Sequence, residues 1–462
     1  MGQQRRVDGH GGRPYPAPRR RTIPAVEPRR PARPAPDHDV RVSYVRERIR
    51  TGLWFIPLLA VVASWAVSTL MHRLDEALGG DRPTFLAYDG SSEQAAQVLS
   101  TIAGSTLTFT GIVFSITAVA LQLGSSQFSP RALRNFLRDR GTQWTLGLLV
   151  ASFTYSLLTL RYVDPDDPTT PGLSVTLALT LVIVSLVAFV FFVSHLAQSI
   201  RVVSVIERVA RETRQALRET IPLTEPETPP RLPDRAPDQV LTWDRGPGVI
   251  LGLDEDDLVE IARRSGSVMR LVHQIGDYVP SGAPAVEVWH VDDRHAPVDA
   301  RAVHARIGAG IERTMAQDPA FGFRQLVDIA EKALSPAIND PTTAVQAIDR
   351  LHDLLRRIAT LPQPTGVHVD GQGVPRLVVP VPSWSDLVHL ACDEIRQYGA
   401  SSLQVMRRQR AMFDDLLTVA TPERAAVLQH QVALLDRAVG RTFVDADDRV
   451  EASHADSQGI GS

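Results

Sequence analysis

Four long apolar stretches, with arginines on alternate sides of them, constrain this chain more than any other feature. They run over about 53–71, 98–123, 144–162 and 174–197, all in the first half of 462 residues. A bilayer core about 30 Å thick takes about 20 mostly apolar helical residues. Stretches 53–71, 98–123 and 174–197 contain no Asp, Glu, Lys or Arg. In 144–162 the one charge, Arg161, sits at the end, where it can snorkel to the interface. Four uncharged runs in succession predict four spans rather than buried helices of a water-soluble fold.

Arginine placement predicts the orientation. Arg41, Arg46, Arg48 and Arg50 precede the first span. The next connection holds Arg73 and Arg82 against Asp75, Glu76, Asp81, Asp89 and Glu93. Arg131, Arg134, Arg138 and Arg140 follow the second span, whereas 163–172 has no arginine and three aspartates. Arg201, Arg208, Arg211, Arg214 and Arg218 follow the fourth. This alternation predicts a multi-pass membrane protein with both termini cytoplasmic. The Arg5-Arg6 pair lies too far from the first apolar run to act as a twin-arginine signal, and that run reads as an uncleaved span. A single cysteine, Cys392, excludes an intramolecular disulfide. A net charge of −3 gives no reason to expect nucleic acid as a partner; the bilayer is the expected one.

The predicted fold class is mainly α: a four-helix transmembrane region followed by a cytoplasmic α+β domain, a small β-module plus a helical bundle. Residues 1–42 are rich in Arg and Pro and predict a disordered tail. The transmembrane domain takes 43–220, a Pro-rich linker 221–243, the cytoplasmic domain 244–444 and a disordered tail 445–462. Ser129 and Pro130 predict the start of a short helix reaching Arg138, which either lies on the inner leaflet or packs against the cytoplasmic domain. No Pro or Gly occurs from His195 to Thr220, and the apolar spacing predicts one helix over about 174–220, about 70 Å long. Strands are expected at 248–252, 267–273 and 285–291 around a helix at 255–264, with a hairpin over 367–381 turning at 370–373. Helices are expected at 299–317, 321–334, 341–360, 384–398, 400–419 and 422–439.

Two groups of residues are candidate sites. Thr101, Gly104, Thr108, Gly111 and Ser115 recur at steps of three and four, a stripe of small side chains down one face of the second span. Such a stripe suits close helix packing, against a neighbour or a second subunit, or the lining of a pore built from several copies. Thr106, Thr110 and Thr117 add hydroxyls on an adjacent face. No carboxylate lies within the spans, which argues against an ion-coupled carrier. In the second group, Ser335, Asn339 and Asp340 join two helices; Asp340 is placed to cap and Pro341 to begin the second. They form either a structural corner or a ligand-binding one. The segment from His290 to His295 has metal-capable side chains but lacks a metal-ligand spacing and reads as a solvated turn. No catalytic motif is recognised, no metal site or cofactor is expected, and the chain leans away from being an enzyme.

Gly276-Asp277-Tyr-Val-Pro-Ser-Gly282-Ala-Pro284 resembles the turn of biotinyl/lipoyl hammerhead domains. A covalent cofactor there needs a lysine in a hairpin, and the only lysine, Lys332, falls in an expected helix. Two longer segments, from Phe109 to Arg131 and from Phe321 to Pro341, resemble a bacterial family of predicted membrane proteins known only as a domain of unknown function. The likeness covers about 45–440. It implies a multi-span region and a C-terminal cytoplasmic domain, and it implies no activity or site residue. The leading functional expectation is an oligomeric, channel-like pore with a cytoplasmic gate or sensor. The alternative is a membrane-anchored scaffold or regulator without transport.

Overall fold

The computed structural model describes residues 54–78, 88–127, 140–164, 170–199, 201–220, 232–291 and 296–458. The expected N-terminal tail, the short helix at 129–138 and residues 221–231 of the linker lie outside them. Among the described residues four helices are long and apolar enough to cross a membrane: α1 (Phe55–Leu78), α2 (Ser92–Gln127), α3 (Arg140–Leu160) and α4 (Gly172–Ser199). Their outward faces carry large apolar side chains, among them Leu58, Trp65, Phe114, Ile183 and Phe191, the last 71 % exposed. In water such a surface would aggregate; against lipid it is the expected one.

Helix α3 is the hub, packed against α1, α2 and α4. Small and hydroxylated residues let the helices meet. At Gly147 a Cβ would come within 2.8 Å of Ile56 Cγ2, so glycine sets the approach of α1. The Ser64 hydroxyl on α1 donates to Ala151 O at 3.2 Å, and the Ser185 hydroxyl on α4 donates to Leu148 O at 3.3 Å. At the far end Asp75 caps α4. Its carboxylate accepts the Leu173 N–H at 3.0 Å, the Ser174 N–H at 3.1 Å and the Ser174 hydroxyl at 2.5 Å. These are donors that the first turn of a helix leaves unpaired.

The single helix expected over 174–220 is two: α4 ends at Ser199 and α5 (Val202–Thr220) begins three residues later. No Pro or Gly accounts for the break. Instead α5 is strongly amphipathic and buries Ile206, Val209, Ala210, Thr213, Ala216 and Leu217 against the C-terminal helices. Apolar burial there outweighs the gain from continuing the helix straight.

The C-terminal domain has two small sheets and a helical layer. Strands β1 (Gln239–Thr242), β5 (Pro284–His290), β3 (Ser267–Leu271), β8 (Pro375–Val378) and β7 (Val367–Val369) form one sheet in that order, with β3 and β8 parallel. Strands β4 (Tyr278–Val279), β2 (Gly248–Leu253) and β6 (Ile307–Gly310) form the other. Helices α6 (Glu255–Arg264) and α7 (Ala300–Ala305) belong to this module, whose core includes Trp243, Leu258, Met269, Val286 and Leu377. The helical layer comprises α8 (Pro319–Leu334), α9 (Pro341–Ala359), α10 (Trp384–Tyr398), α11 (Leu403–Val419), α12 (Pro422–Thr442) and α13 (Ala446–Ser453). Its core unites Phe323, Leu326, Leu355, Val388, Ile395 and Phe413 with Ile206 and Val209 of α5. Gln317 joins the modules, exchanging hydrogen bonds with Leu253 N at 2.7 Å and Leu253 O at 3.1 Å.

Three further expectations are corrected. The linker does not extend to 243, because 239–242 is strand β1 and Leu241 and Trp243 are core residues. The helix expected at 299–317 stops at Ala305; the Ile-Gly-Ala-Gly run that follows pairs with β2 as β6. The tail beyond 445 contains α13, held by buried Ala452 and by Arg407, which donates to Glu451 O at 2.7 Å.

Gly322 sets how closely α5 and α8 approach. A Cβ there would lie 1.9 Å from Thr213 Oγ1 and 2.8 Å from Met315 Sδ. Gly322→Ala is expected to lower stability by about 1–3 kcal/mol through overpacking. Adding Thr213→Ala should return part of that loss, a non-additivity readable by thermal unfolding of both single variants and the double variant.

Candidate functional site

The small-residue stripe of α2 lies on the outside of the four-helix group. Thr101, Gly104, Thr108, Gly111 and Ser115 are all exposed, and a Cβ added at Gly104 or Gly111 would meet nothing within 4 Å. The hydroxyls do not reach outward for partners. Thr101 donates to Gln97 O at 2.7 Å and Thr108 to Gly104 O at 3.0 Å, within their own helix. The adjacent face behaves differently: Thr106 and Thr117 are buried, and Thr110 is half-buried. Helix α2 therefore spends one polar face on packing within the chain and leaves the stripe open.

The Ser335–Asp340 corner sits between α8 and α9. Asp340 caps α9, its carboxylate accepting the Thr343 N–H at 3.1 Å and the Thr343 hydroxyl at 2.6 Å. The Ser335 hydroxyl donates to Lys332 O at 2.7 Å and closes α8. Asn339 is exposed with φ +48°, a left-handed conformation that asparagine tolerates better than most residues. One turn brings the three together. Ser335 and Asp340 each hold a helix end, while the stripe stands apart in the membrane layer.

A more concentrated group of charges lies one helix turn away on α8. Arg324, Asp328 and Glu331 share a face at i, i+4 and i+7. The Arg324 guanidinium donates through Nε to Asp328 at 2.5 Å and through Nη2 to Glu331 at 2.9 Å. Through Nη1 it reaches Glu394 on α10. Glu331 and Glu394 thus approach the same guanidinium from different helices. Burial, reinforced by the charges of Glu394 and Asp328, pushes the Glu331 carboxyl up to about 7 against the pull of Arg324. One guanidinium thus faces three carboxyl groups, and through Glu394 it bridges to a second helix.

A second network joins α9 to α11. Buried Arg408 donates to Asp349 at 2.7 Å and to His352 Nδ1 at 3.0 Å. An arginine can only donate, so His352 Nδ1 accepts and Nε2 carries the proton given to Asp415 at 2.7 Å. Burial pushes the His352 imidazole down, in keeping with that neutral form. Among the described residues no three His, Cys, Asp or Glu side chains form a group able to hold a metal ion. The spacing of Arg324, Asp328 and Glu331 was visible in the sequence as a helical face. Glu394, 63 residues past Glu331, was not, because only packing of α10 on α8 brings it there.

Residues 50–415, which hold the stripe, the corner and both networks, match a family described as "Predicted membrane protein (DUF2254)". The chain belongs to that family. Uncharacterized proteins of Mycobacterium tuberculosis (Rv1290c) and Mycobacterium bovis (Mb1321c) are each 32 % identical to it over 425 residues, covering 88 % of this chain and 80 % of theirs. No solved structure matches the chain. It is therefore a DUF2254 membrane protein with four candidate spans. The family match ends before α12 and α13, which pack onto α10 and α11 from outside the matched region.

Arg324→Ala leaves three carboxyl groups without their shared cation. A partly buried network of this kind is expected to lose about 2 kcal/mol, less than a fully buried pair would. Arg324→Lys should recover little, since a single ammonium cannot reproduce the three-way fork. Denaturant titration of the three proteins checks the ordering.

Proposed function

We propose that this DUF2254 protein acts as an oligomeric, channel-like pore of the bacterial inner membrane, with its C-terminal domain as a gate or sensor. The observation that carries the reading is the open stripe of α2. Five small residues face out of the single chain at the spacing that lets helices approach closely. Copies meeting along this face would bring the Thr101, Thr108 and Ser115 hydroxyls together. The alternating arginines support an orientation with both termini and the C-terminal domain in the cytoplasm. Helix α5 supports coupling, since it follows span α4 directly yet contributes to the core of the C-terminal helices.

The mass of the protein in detergent and its conductance in planar bilayers test this. An oligomer with conducting events is expected, and Gly104→Leu with Gly111→Leu should shift the mass toward the monomer. Cysteines placed at Thr101, Thr108 and Ser115, with Cys392→Ala as background, should react with water-soluble thiol reagents. A monomer with silent bilayers would sink the reading. An oligomer that stays silent, with unreactive cysteines, would favour a scaffold without transport.

A further inference from the structure

The Glu331 and Glu394 carboxyl groups, gathered on Arg324, bear on how the C-terminal helices hold together. The two carboxyl groups sit on different helices and meet at one guanidinium. Three ionised carboxylates around one guanidinium repel one another, and a proton on one of them relieves that repulsion. We propose that Glu331 and Glu394 form a proton-shared clasp that holds α8 to α10 while the proton is present and loosens when it leaves to solvent.

The groups that act on the clasp can be named from each neighbouring helix. From α8 itself come Arg324 and Asp328. Lys332, the next residue along, is exposed. From α10 comes Glu394, whereas Asp393 is taken up by His389, Arg396 and Gln431. The charged residues of α5 that face this layer, Glu207 and Arg214, pair with Arg350 and Asp353 of α9. Of the other charges of α9, Asp349, His352 and Arg356 turn to α11, and Arg357 pairs with Asp353 of its own helix. With all three ionised, the carboxyl groups exceed the single cation by two charges; the shared proton removes one. The clasp lies on the helix whose other side receives α5 through the Gly322–Thr213 approach. Its state therefore bears on the layer to which the membrane helices are tied.

The sign of the pH effect follows from Glu331. Its folded-state pKa, about 7, is above the ordinary value of 4.5. The folded state thus holds the proton more tightly than the unfolded chain, so the contribution is fully present below 4.5 and is lost as pH rises through about 7. His352 has the opposite sign: its lowered pKa gives stability that is lost as pH falls.

The test is thermal unfolding of the full chain in detergent from about pH 5 to about pH 8, with infrared difference spectra of the protonated carboxyl band. The wild type should lose that band with a midpoint near pH 7 and show a falling Tm over the same range. Glu331→Gln keeps a neutral hydrogen-bonding group there. It should abolish both the band and that part of the Tm decline, and it should be the more stable protein at the alkaline end. Glu394→Gln removes one neighbouring charge and should move the midpoint to lower pH, which serves if Glu331→Gln does not fold. Absence of a carboxyl band titrating near neutrality in the wild type overturns the proposal. So does an unchanged Tm profile in Glu331→Gln, or an unmoved midpoint in Glu394→Gln.

Discussion

The burial of one face of α5 in the C-terminal core is the interaction on which the rest of the arrangement depends. A helix joined within three residues to a membrane span would ordinarily continue that span's direction. Here Ile206, Val209 and Leu217 are drawn into the same apolar cluster as Phe323, Leu326 and Leu355, and the chain bends between Ser199 and Val202 to allow it. Two features sharpen the docking. Gly322 removes the side chain that would collide with Thr213, and the pairs Glu207–Arg350 and Arg214–Asp353 hold α5 against α9. Ion pairs at partly exposed positions add little energy, so the apolar face supplies most of the stability and the charges set the register.

Within the membrane helices, hydroxyls replace the hydrophobic effect as the means of association, because lipid is as apolar as the side chains. Ser64 of α1 and Ser185 of α4 each reach a carbonyl of α3, and Asp75 ties α1 to the start of α4. Against that background the outward stripe of α2 stands out: its residues have the size that favours close approach, and among the described residues no helix uses them. Its threonines already satisfy their hydroxyls along their own helix, so the face is compatible with lipid as well as with a second copy.

The α8 motif from Phe321 to Pro341 illustrates how one helix serves several contacts at once. Its first turn is capped by Asp318, its glycine admits α5, its charged face reaches α10, and its end is closed by Ser335 before Asp340 starts α9. That density of tasks explains why the segment reads as distinctive without containing a recognisable catalytic motif.

Much of this was legible in the residue order. Spans, caps and amphipathic helices depend on interactions within a few residues, and these report themselves as apolar runs, an Asp-Pro start or a 3.6-residue period. Helices α6, α8, α9, α10 and α12 and the hairpin at Asp370 fall close to their expected bounds for that reason. The exposed side of α2 and the meeting of Arg324 with Glu394 depend instead on which helix lies next to which. So do the conversion of 307–310 from helix to strand, the pairing of β1 with β5, the docking of α13 and the bend before α5. Each of these sets long-range burial or pairing against local preference. The sequence by itself determined that the chain is a membrane protein with a mixed C-terminal domain, since hydropathy and periodicity are local properties. Tertiary structure alone decided which polar groups meet, because that requires contacts between residues far apart in the chain.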